Sequence, residues 1–389
     1  MPRFPHAAPT SATLSARVFS GLAKKASAMR EAGEVVHALS VGDTYKEPLV
    51  VARAESQRVA DRPGLHRYAP PQGEAELLEA VSRRLARLGK EVPTERIQIV
   101  SGATSGLSVV AAALFMPGDE VLLPSPFWPL IRGIISGRGA KPVQVPLMDR
   151  LDEVDVEATL EAAVTDKTVA LYLNTPHNPT GSILGEAHLA AVARVAERHA
   201  LWVICDEAYQ DLYFGETPAR AWQHPALTER AVVCHTLSKS YGIAGSRIGY
   251  VHGPKDAMRA IRGVQTFATY CAARPLQFGA AAVLDEGSDW LEERRLEYAG
   301  AAARAAGAFG VPTPPGGTFL FVHAKPWMRD GETDALPFLD RCLDAGVLMT
   351  PGGACGADFG EYFRVCFTGV TPEALSDALQ RLAPLLAQT

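Results

Sequence analysis

Six short runs, Ile97–Val100, Glu120–Leu123, Pro142–Val145, Val169–Leu173, Leu201–Cys205 and Ala231–Thr236, are mostly Val/Ile/Leu-rich with almost no apolar–polar alternation. A strand with one wet face alternates with period two, so runs that fail to alternate belong to strands covered on both sides, as in a mostly parallel sheet between helices. Helix-like segments separate them, among them Ala75–Leu88 and the alanine-rich Leu107–Phe115. The pattern predicts an α/β fold, a three-layer αβα sandwich.

The flanks differ. Met1 to about Pro9 reads as a loose Pro/Ala-rich arm, followed by a helix from Ser11 to Ala32 that Gly33 ends, and by a short strand Val35–Val41. The last hundred residues carry a long charged helix, Asp289–Ala306, a Pro/Gly turn, Pro312–Gly317, a strand, Phe319–His323, and a final helix, Pro372–Leu386. This predicts a smaller α+β unit. At 389 residues the chain exceeds the size at which one core stops growing, and the expected division is 1–45 (arm and part of the small domain), 46–285 (large domain) and 286–389 (small domain).

A net charge of −5 with no dense Lys/Arg block argues against nucleic acid as a partner. Arg83, Arg84 and Arg87 read as a solvated helix face. The six cysteines are dispersed, form no C-x-x-C pair and match no zinc-site spacing, so no metal site is expected. With no signal-peptide pattern and no apolar run of about 20 residues, the expectation is a cytoplasmic protein that does not enter the membrane.

In open α/β sheets the ligand lies beyond the carboxyl ends of the strands. Four apolar runs end in polar residues there: Ser101-Gly102-Ala103-Thr104, Asn174-Thr175-Pro176-His177-Asn178-Pro179, Asp206, and Thr236-Leu237-Ser238-Lys239. The first is a small-residue turn into a helix, whose free N–H groups and dipole suit a phosphate, although alone it reads as a plain turn. Lys239 is a nucleophilic amine if burial and Arg247 disfavour its charged form; a single loop lysine is ordinarily a surface charge. Asp206 at the end of an apolar strand needs a cationic partner, or else is a cap or strand-end ion pair. The four loops taken together favour the functional alternative.

Three motifs then carry a resemblance: Asn174-Thr175-Pro176-His177-Asn178-Pro179-Thr180-Gly181, Asp206-Glu207-Ala208-Tyr209, and Ser238-Lys239 with Gly245-Ser246-Arg247-Ile248-Gly249-Tyr250. In order and spacing the chain resembles the class I/II aminotransferases, members of the fold-type I pyridoxal-phosphate (PLP) superfamily, from about Ser11 to Leu386. The resemblance implies pyridoxal 5'-phosphate as cofactor, with Lys239 as Schiff-base lysine and proton shuttle, Asp206 as partner of the pyridinium nitrogen, and Asn178 and Tyr209 on the phenolic oxygen. Ala103, Thr104, Thr236, Ser238 and Arg247 match the phosphate cup. Trp128 matches the ring that stacks on the cofactor, with adjacent Phe127 leaving the register open by one residue. Tyr68 matches a tyrosine that reaches the neighbouring subunit's phosphate, which implies a homodimer with shared active sites.

Arg364 resembles the arginine that forks onto a substrate α-carboxylate, and Gly42 and Gly316-Gly317-Thr318-Phe319 resemble segments that close over the substrate. Where many relatives read Gly-Glu-Pro-Asp, this chain has Gly42-Asp43-Thr44-Tyr45-Lys46-Glu47-Pro48, which makes Tyr45 a candidate pocket residue. No arginine occurs in Gln265–Ala273, where dicarboxylate-specific relatives of one branch carry one. The implied function is amino transfer between an L-amino acid and a 2-oxo acid by a ping-pong mechanism. The alternatives are elimination, decarboxylation or oxidation on the same scaffold, and a non-catalytic PLP-binding regulator. For the regulator, the roughly ten residues before the matched region would leave no room for a DNA-binding domain.

Overall fold

The computed structural model describes residues 20–387. The expected arm, Met1–Pro9, and the start of the first helix lie outside the described residues. Helices are α1 (Ser20–Glu31), α2 (Val50–Gln57), α3 (Ala75–Arg87), α4 (Ala103–Leu114), α5 (Leu130–Ser136), α6 (Val156–Glu161), α7 (Glu186–Arg198), α8 (Lys255–Ala268), α9 (Arg274–Glu286), α10 (Ser288–Phe309), α11 (Leu336–Asp344) and α12 (Pro372–Leu386). Strands are β1 (His37–Ala38), β2 (Ile97–Val100), β3 (Glu120–Ser125), β4 (Lys141–Pro146), β5 (Thr168–Asn174), β6 (Trp202–Asp206), β7 (Ala231–Thr236), β8 (Gly249–His252), β9 (Phe319–His323), β10 (Val347–Leu348), β11 (Thr350–Pro351) and β12 (Tyr362–Cys366).

A seven-stranded sheet has the order β2-β8-β7-β6-β5-β3-β4. Strands β3 to β7 pair in parallel, whereas β8 is antiparallel to both its neighbours, β7 and β2. Two reversals restore direction, so β2, β5, β6 and β7 all end at the same edge. Both faces are apolar, residue by residue. Val203, Cys205 and Val233 pack into a core shared with α3, α7 and α9, and Ile204, Val232 and Cys234 into a core shared with α4, α5 and α8. That double coverage is why these strands do not alternate, and it makes the sandwich three-layered. A third core joins Leu39 and Ala208, Tyr209 and Leu212 to α10, α11, α12 and the three-stranded antiparallel sheet β11-β12-β9.

Two local expectations are corrected. The strand expected over Val35–Val41 is reduced to His37–Ala38, because its parallel partner β10 offers only Val347 and Leu348. The basic face of α3 is not solvated throughout: Arg84 is buried, donating from Nη1 to Tyr241 Oη at 2.9 Å and from Nη2 to Asp211. Arg83 reaches Asp285 at 2.7 Å and Arg87 donates to Leu284 O at 2.7 Å, so both fasten α3 to α9. Five cysteines are buried, Cys271 is half-buried, and all six are free. No helix among the described residues is long and apolar enough to cross a membrane.

Candidate active site

Beyond the shared carboxyl edge lies a cavity of about 460 Å³, lined from both the sheet and the third core. Gly42, Ala103, Thr104, Trp128, Asn178, Asp206, Tyr209, Thr236, Ser238, Lys239, Arg247 and Arg364 all line it, drawn from segments up to more than 300 residues apart.

At one end, the first turn of α4 points its unpaired N–H groups at the cavity from Ala103 onward; its cap, Gly102, supplies no side chain to satisfy them. Gly102 has φ +81°, and a Cβ there would stand 2.6 Å from Arg247 Nη2, so glycine is needed twice over. Arg247, itself left-handed at φ 54°, donates to Ala244 O at 2.9 Å and brings its guanidinium across this turn. Thr236 and Ser238 exchange a 2.7 Å hydroxyl hydrogen bond beside it. Helix dipole, hydroxyls and guanidinium together form an anion cup.

On the sheet side, Asp206 is buried, its Oδ2 accepting from Tyr172 Oη at 2.7 Å and its Oδ1 from Ala208 N at 3.2 Å. Burial raises its carboxyl to about 6, against the lowering pull of those two donors. Such a carboxyl lacks a cation and is suited to receive one. Asn174 holds the adjoining loops together: its amide donates to Asp206 O at 2.8 Å while its Oδ1 accepts from Asn178 N at 2.7 Å. Tyr172 was not singled out in the sequence, and Asn174 was quoted there only as the start of its motif, without a role. Register carries the signal: Asn174 pairs with Asp206 across β5 and β6, and Tyr172 lies two residues before it on the same face.

Lys239 donates from Nζ to Gly42 O. Burial holds its amine below the ordinary lysine value; Asp43 and Cys366 oppose this, and Arg247 and Arg364 add to it. The Gly42 backbone lies against Phe319, whose Cζ would be 2.4 Å from a Cβ at that position. Tyr209 Oη accepts from Asn178 Nδ2 at 3.4 Å, and burial raises its hydroxyl well above the usual range. Arg364, on β12, donates to Asn178 Oδ1 and to Ser40 O, each at 2.8 Å, over the face of Phe319. Its Nε is buried without a partner.

Trp128 faces the cavity, while Phe127 is buried in the core under α4 and α5. Two expected residues lie elsewhere. Tyr45 turns its hydroxyl to Glu297 on α10, beneath Lys46, so the pocket position expected for it is corrected. Tyr68 is 81% exposed and packs edge-on against Tyr270, outside the cavity within this chain.

These residues fit a compact aromatic aldehyde bearing a phosphate: an anion cup, a buried carboxyl lacking a cation, an indole wall and an amine of lowered basicity. Comparison with known proteins agrees. Residues 34–382 match the family Aminotransferase class I and II. The chain is 28% identical over 375 residues to aspartate aminotransferase of Musicola paradisiaca, covering 94% of this chain and 92% of that one. It is 29% identical over 374 residues to arginine–pyruvate transaminase of Pseudomonas aeruginosa, covering 94% and 93%. Aspartate aminotransferase of Rhizobium meliloti superposes with a TM-score of 0.91 at 25% identity, over 98% and 99% of the two chains. The chain therefore belongs to the class I and II aminotransferases, the PLP enzymes of fold type I, and its activity is amino-group transfer.

Proposed function

We propose that the cavity holds pyridoxal 5'-phosphate and moves an amino group between an L-amino acid and a 2-oxo acid in two half-reactions. The observation that carries this reading is the meeting of Lys239, Asp206 and Arg364 in one cavity whose far end is an anion cup. The cofactor, when bound, supplies an electron sink conjugated to the substrate nitrogen.

The chain's residues do the rest. Ala103, Thr104, Thr236, Ser238 and Arg247 hold the phosphate. Asp206 faces the ring nitrogen, with Tyr172 orienting its carboxylate; Trp128 covers the ring, and Asn178 and Tyr209 bind the phenolic oxygen. Lys239 would hold the aldehyde carbon through Nζ, and the same amine, when free, would move the proton at the substrate Cα, which its depressed basicity suits. Arg364 orients the substrate by its α-carboxylate, a planar two-point grip that lysine does not supply.

The test is the visible spectrum of the PLP-loaded protein. A band that Lys239→Ala lacks, that an amino acid bleaches and a 2-oxo acid restores, supports the reading. Ammonia or carbon dioxide released with the band regenerated, and no acceptor needed, assigns elimination or decarboxylation; hydrogen peroxide formed with oxygen consumed assigns oxidation.

The same reading includes a homodimer with shared sites, supported by the apolar surface where Tyr68, Phe267 and Tyr270 are exposed together. Sedimentation tests it. A domain division at 45/46 and 285/286 is supported by the core that unites Leu39 with residues 298–382, joined from the large unit by Ala208, Tyr209 and Leu212 alone among its buried members, and a reducing, cytoplasmic location by the six unpaired cysteines.

A further inference from the structure

We propose that Thr44 and Tyr45 are positioning residues for Lys239: they pin the segment Gly42–Lys46 so that the Gly42 carbonyl receives Nζ and turns the free electron pair of the amine toward the substrate. The inference rests on the proposed role of Lys239 as the amine that moves the Cα proton, and deepens it by naming what aims that amine.

A backbone carbonyl only accepts, so in the bond between Lys239 Nζ and Gly42 O the amine spends an N–H. A neutral amine held in this way points its electron pair away from Gly42, and a tilt of the carbonyl aims it elsewhere. Gly42 has no side chain to anchor it, so its place is set by the residues that follow. Tyr45 N donates to Thr368 O at 3.3 Å and Thr368 Oγ1 to Asp43 O at 2.8 Å, which ties the segment to the chain just beyond β12. On α10, Tyr298 Oη shares a hydrogen bond with Thr44 Oγ1, and Glu297 accepts from Tyr45 Oη. Arg294 binds the same Glu297 carboxylate, as does Lys46 from 3.3 Å, so that acceptor is itself held in place. From the other side comes the loop that bears Lys239: a Cβ on Gly242 would stand 3.2 Å from Lys46 O and 3.3 Å from Thr44 Cγ2. The segment is threaded between α10 and that loop, and two hydroxyls fasten it to α10.

Asp43 contributes charge rather than aim. Burial is the main influence on the Lys239 amine and lowers it, while the Asp43 carboxylate favours the protonated form. Asp43 Oδ1 is held by Thr44 N at 2.9 Å. Where many relatives have a proline as the third residue of this stretch, with φ fixed by its ring, this chain has Thr44 and secures the stretch by side-chain bonds.

The test pairs a measurement on the cofactor-free chain with kinetics of the PLP-loaded enzyme. Trace acetylation by acetic anhydride across a pH series, with the label at Lys239 counted by peptide mass, reads the basicity of Nζ without PLP. In Thr44→Val/Tyr45→Phe the Lys239 curve is expected to move to lower pH, because the carbonyl that favours the charged amine is no longer held against it. Loaded with PLP, and given the amino acid that bleaches the wild-type band fastest, the double variant is expected to lose about 10-fold in kcat with KM within about twofold. Deuterium at the substrate Cα should slow it more than it slows wild type. Thr44→Ser keeps the hydroxyl and is expected to match wild type in every reading. The single variants Thr44→Val and Tyr45→Phe carry the test where the double variant does not fold. A lowered melting midpoint with the acetylation curve and the deuterium effect of wild type overturns the proposal. A loaded wild type with no visible band, or a band that survives in Lys239→Ala, defeats the reading of Lys239 beneath it, and the acetylation curve keeps the two failures apart.

Discussion

Asn178 Oδ1 accepts a 2.8 Å hydrogen bond from Arg364 Nη1, so the loop that follows β5 of the large sheet holds the guanidinium carried by β12 of the other. The same amide donates to Tyr209, so one side chain ties together the groups proposed to grip the substrate and the cofactor oxygen.

Replacing Arg364 by Lys keeps the charge and loses the fork. The expected outcome is a fall in kcat/KM of about 100-fold, carried mainly by KM, with the visible band of the loaded enzyme unchanged. Steady-state kinetics across an amino-acid panel checks this.

Lys239→Ala is expected to fold, to lose the visible band on PLP addition and to lose activity by at least ~10³-fold. Lys239→Arg does not restore it, because a guanidinium holds its proton throughout the working range. Absorbance and single-turnover kinetics decide the matter.

Gly102→Ala sets a Cβ against Arg247 Nη2 and strains a positive φ. The expected cost is about 1–2 kcal/mol of stability and roughly tenfold in PLP affinity. Denaturant melts and PLP titration measure the two effects separately.

Asp206 gives a pH signature in the cofactor-free chain. Its carboxyl is raised from the ordinary 3.8 to about 6, so the folded chain binds the proton more tightly than the unfolded one. That contribution to stability is complete below about pH 4 and is lost as pH rises through about 6, on the order of 3 kcal/mol for a shift of this size. Asp206→Asn should therefore gain relative to wild type across that interval, and PLP, which offers Asp206 a cation, should reverse the trend. Melting curves between pH 4 and 7, with and without PLP, show whether it does.

Arg84 and Asp211 form a buried pair, and neither residue lines the cavity. Asp211→Ala leaves the guanidinium buried and uncompensated, and about 3–5 kcal/mol of stability should go with it. A lowered denaturant midpoint with an unaltered PLP spectrum is the expected result.

The strands that position the site were legible because burial on both faces leaves its mark in most residues of Ile97–Val100, Val169–Leu173 and Ala231–Thr236, with Gln98, His235 and Thr236 the polar ones. Strand β8 was not, since Gly249 opens it and Tyr250 and His252 interrupt its apolar character; the protein uses both rings in a stack with His235 that no local pattern announces. The motif residues at strand ends were readable by chemistry and came together in the cavity. What escaped depended on distant partners. Arg84 looks like any surface arginine until Asp211, 127 residues away, is placed beside it. Tyr45 looks available to the pocket until Glu297 takes its hydroxyl, and Tyr172 hides its one polar atom inside an apolar strand.

Strand β8 has a mechanical consequence. Because it runs back against β7, Thr236 and Gly249 are direct neighbours across the ladder, and residues 237–248 form a strap clamped at both ends. Lys239 lies near one buckle and Arg247 near the other. Had the chain continued in parallel, it would have left this edge for the far side of the sheet, and amine and guanidinium would have been free to drift apart. Held on one strap, they share a fixed span. A residue inserted between Ser240 and Ser246 should uncouple the grip on an anion from the pose of the amine, even with every lining side chain retained.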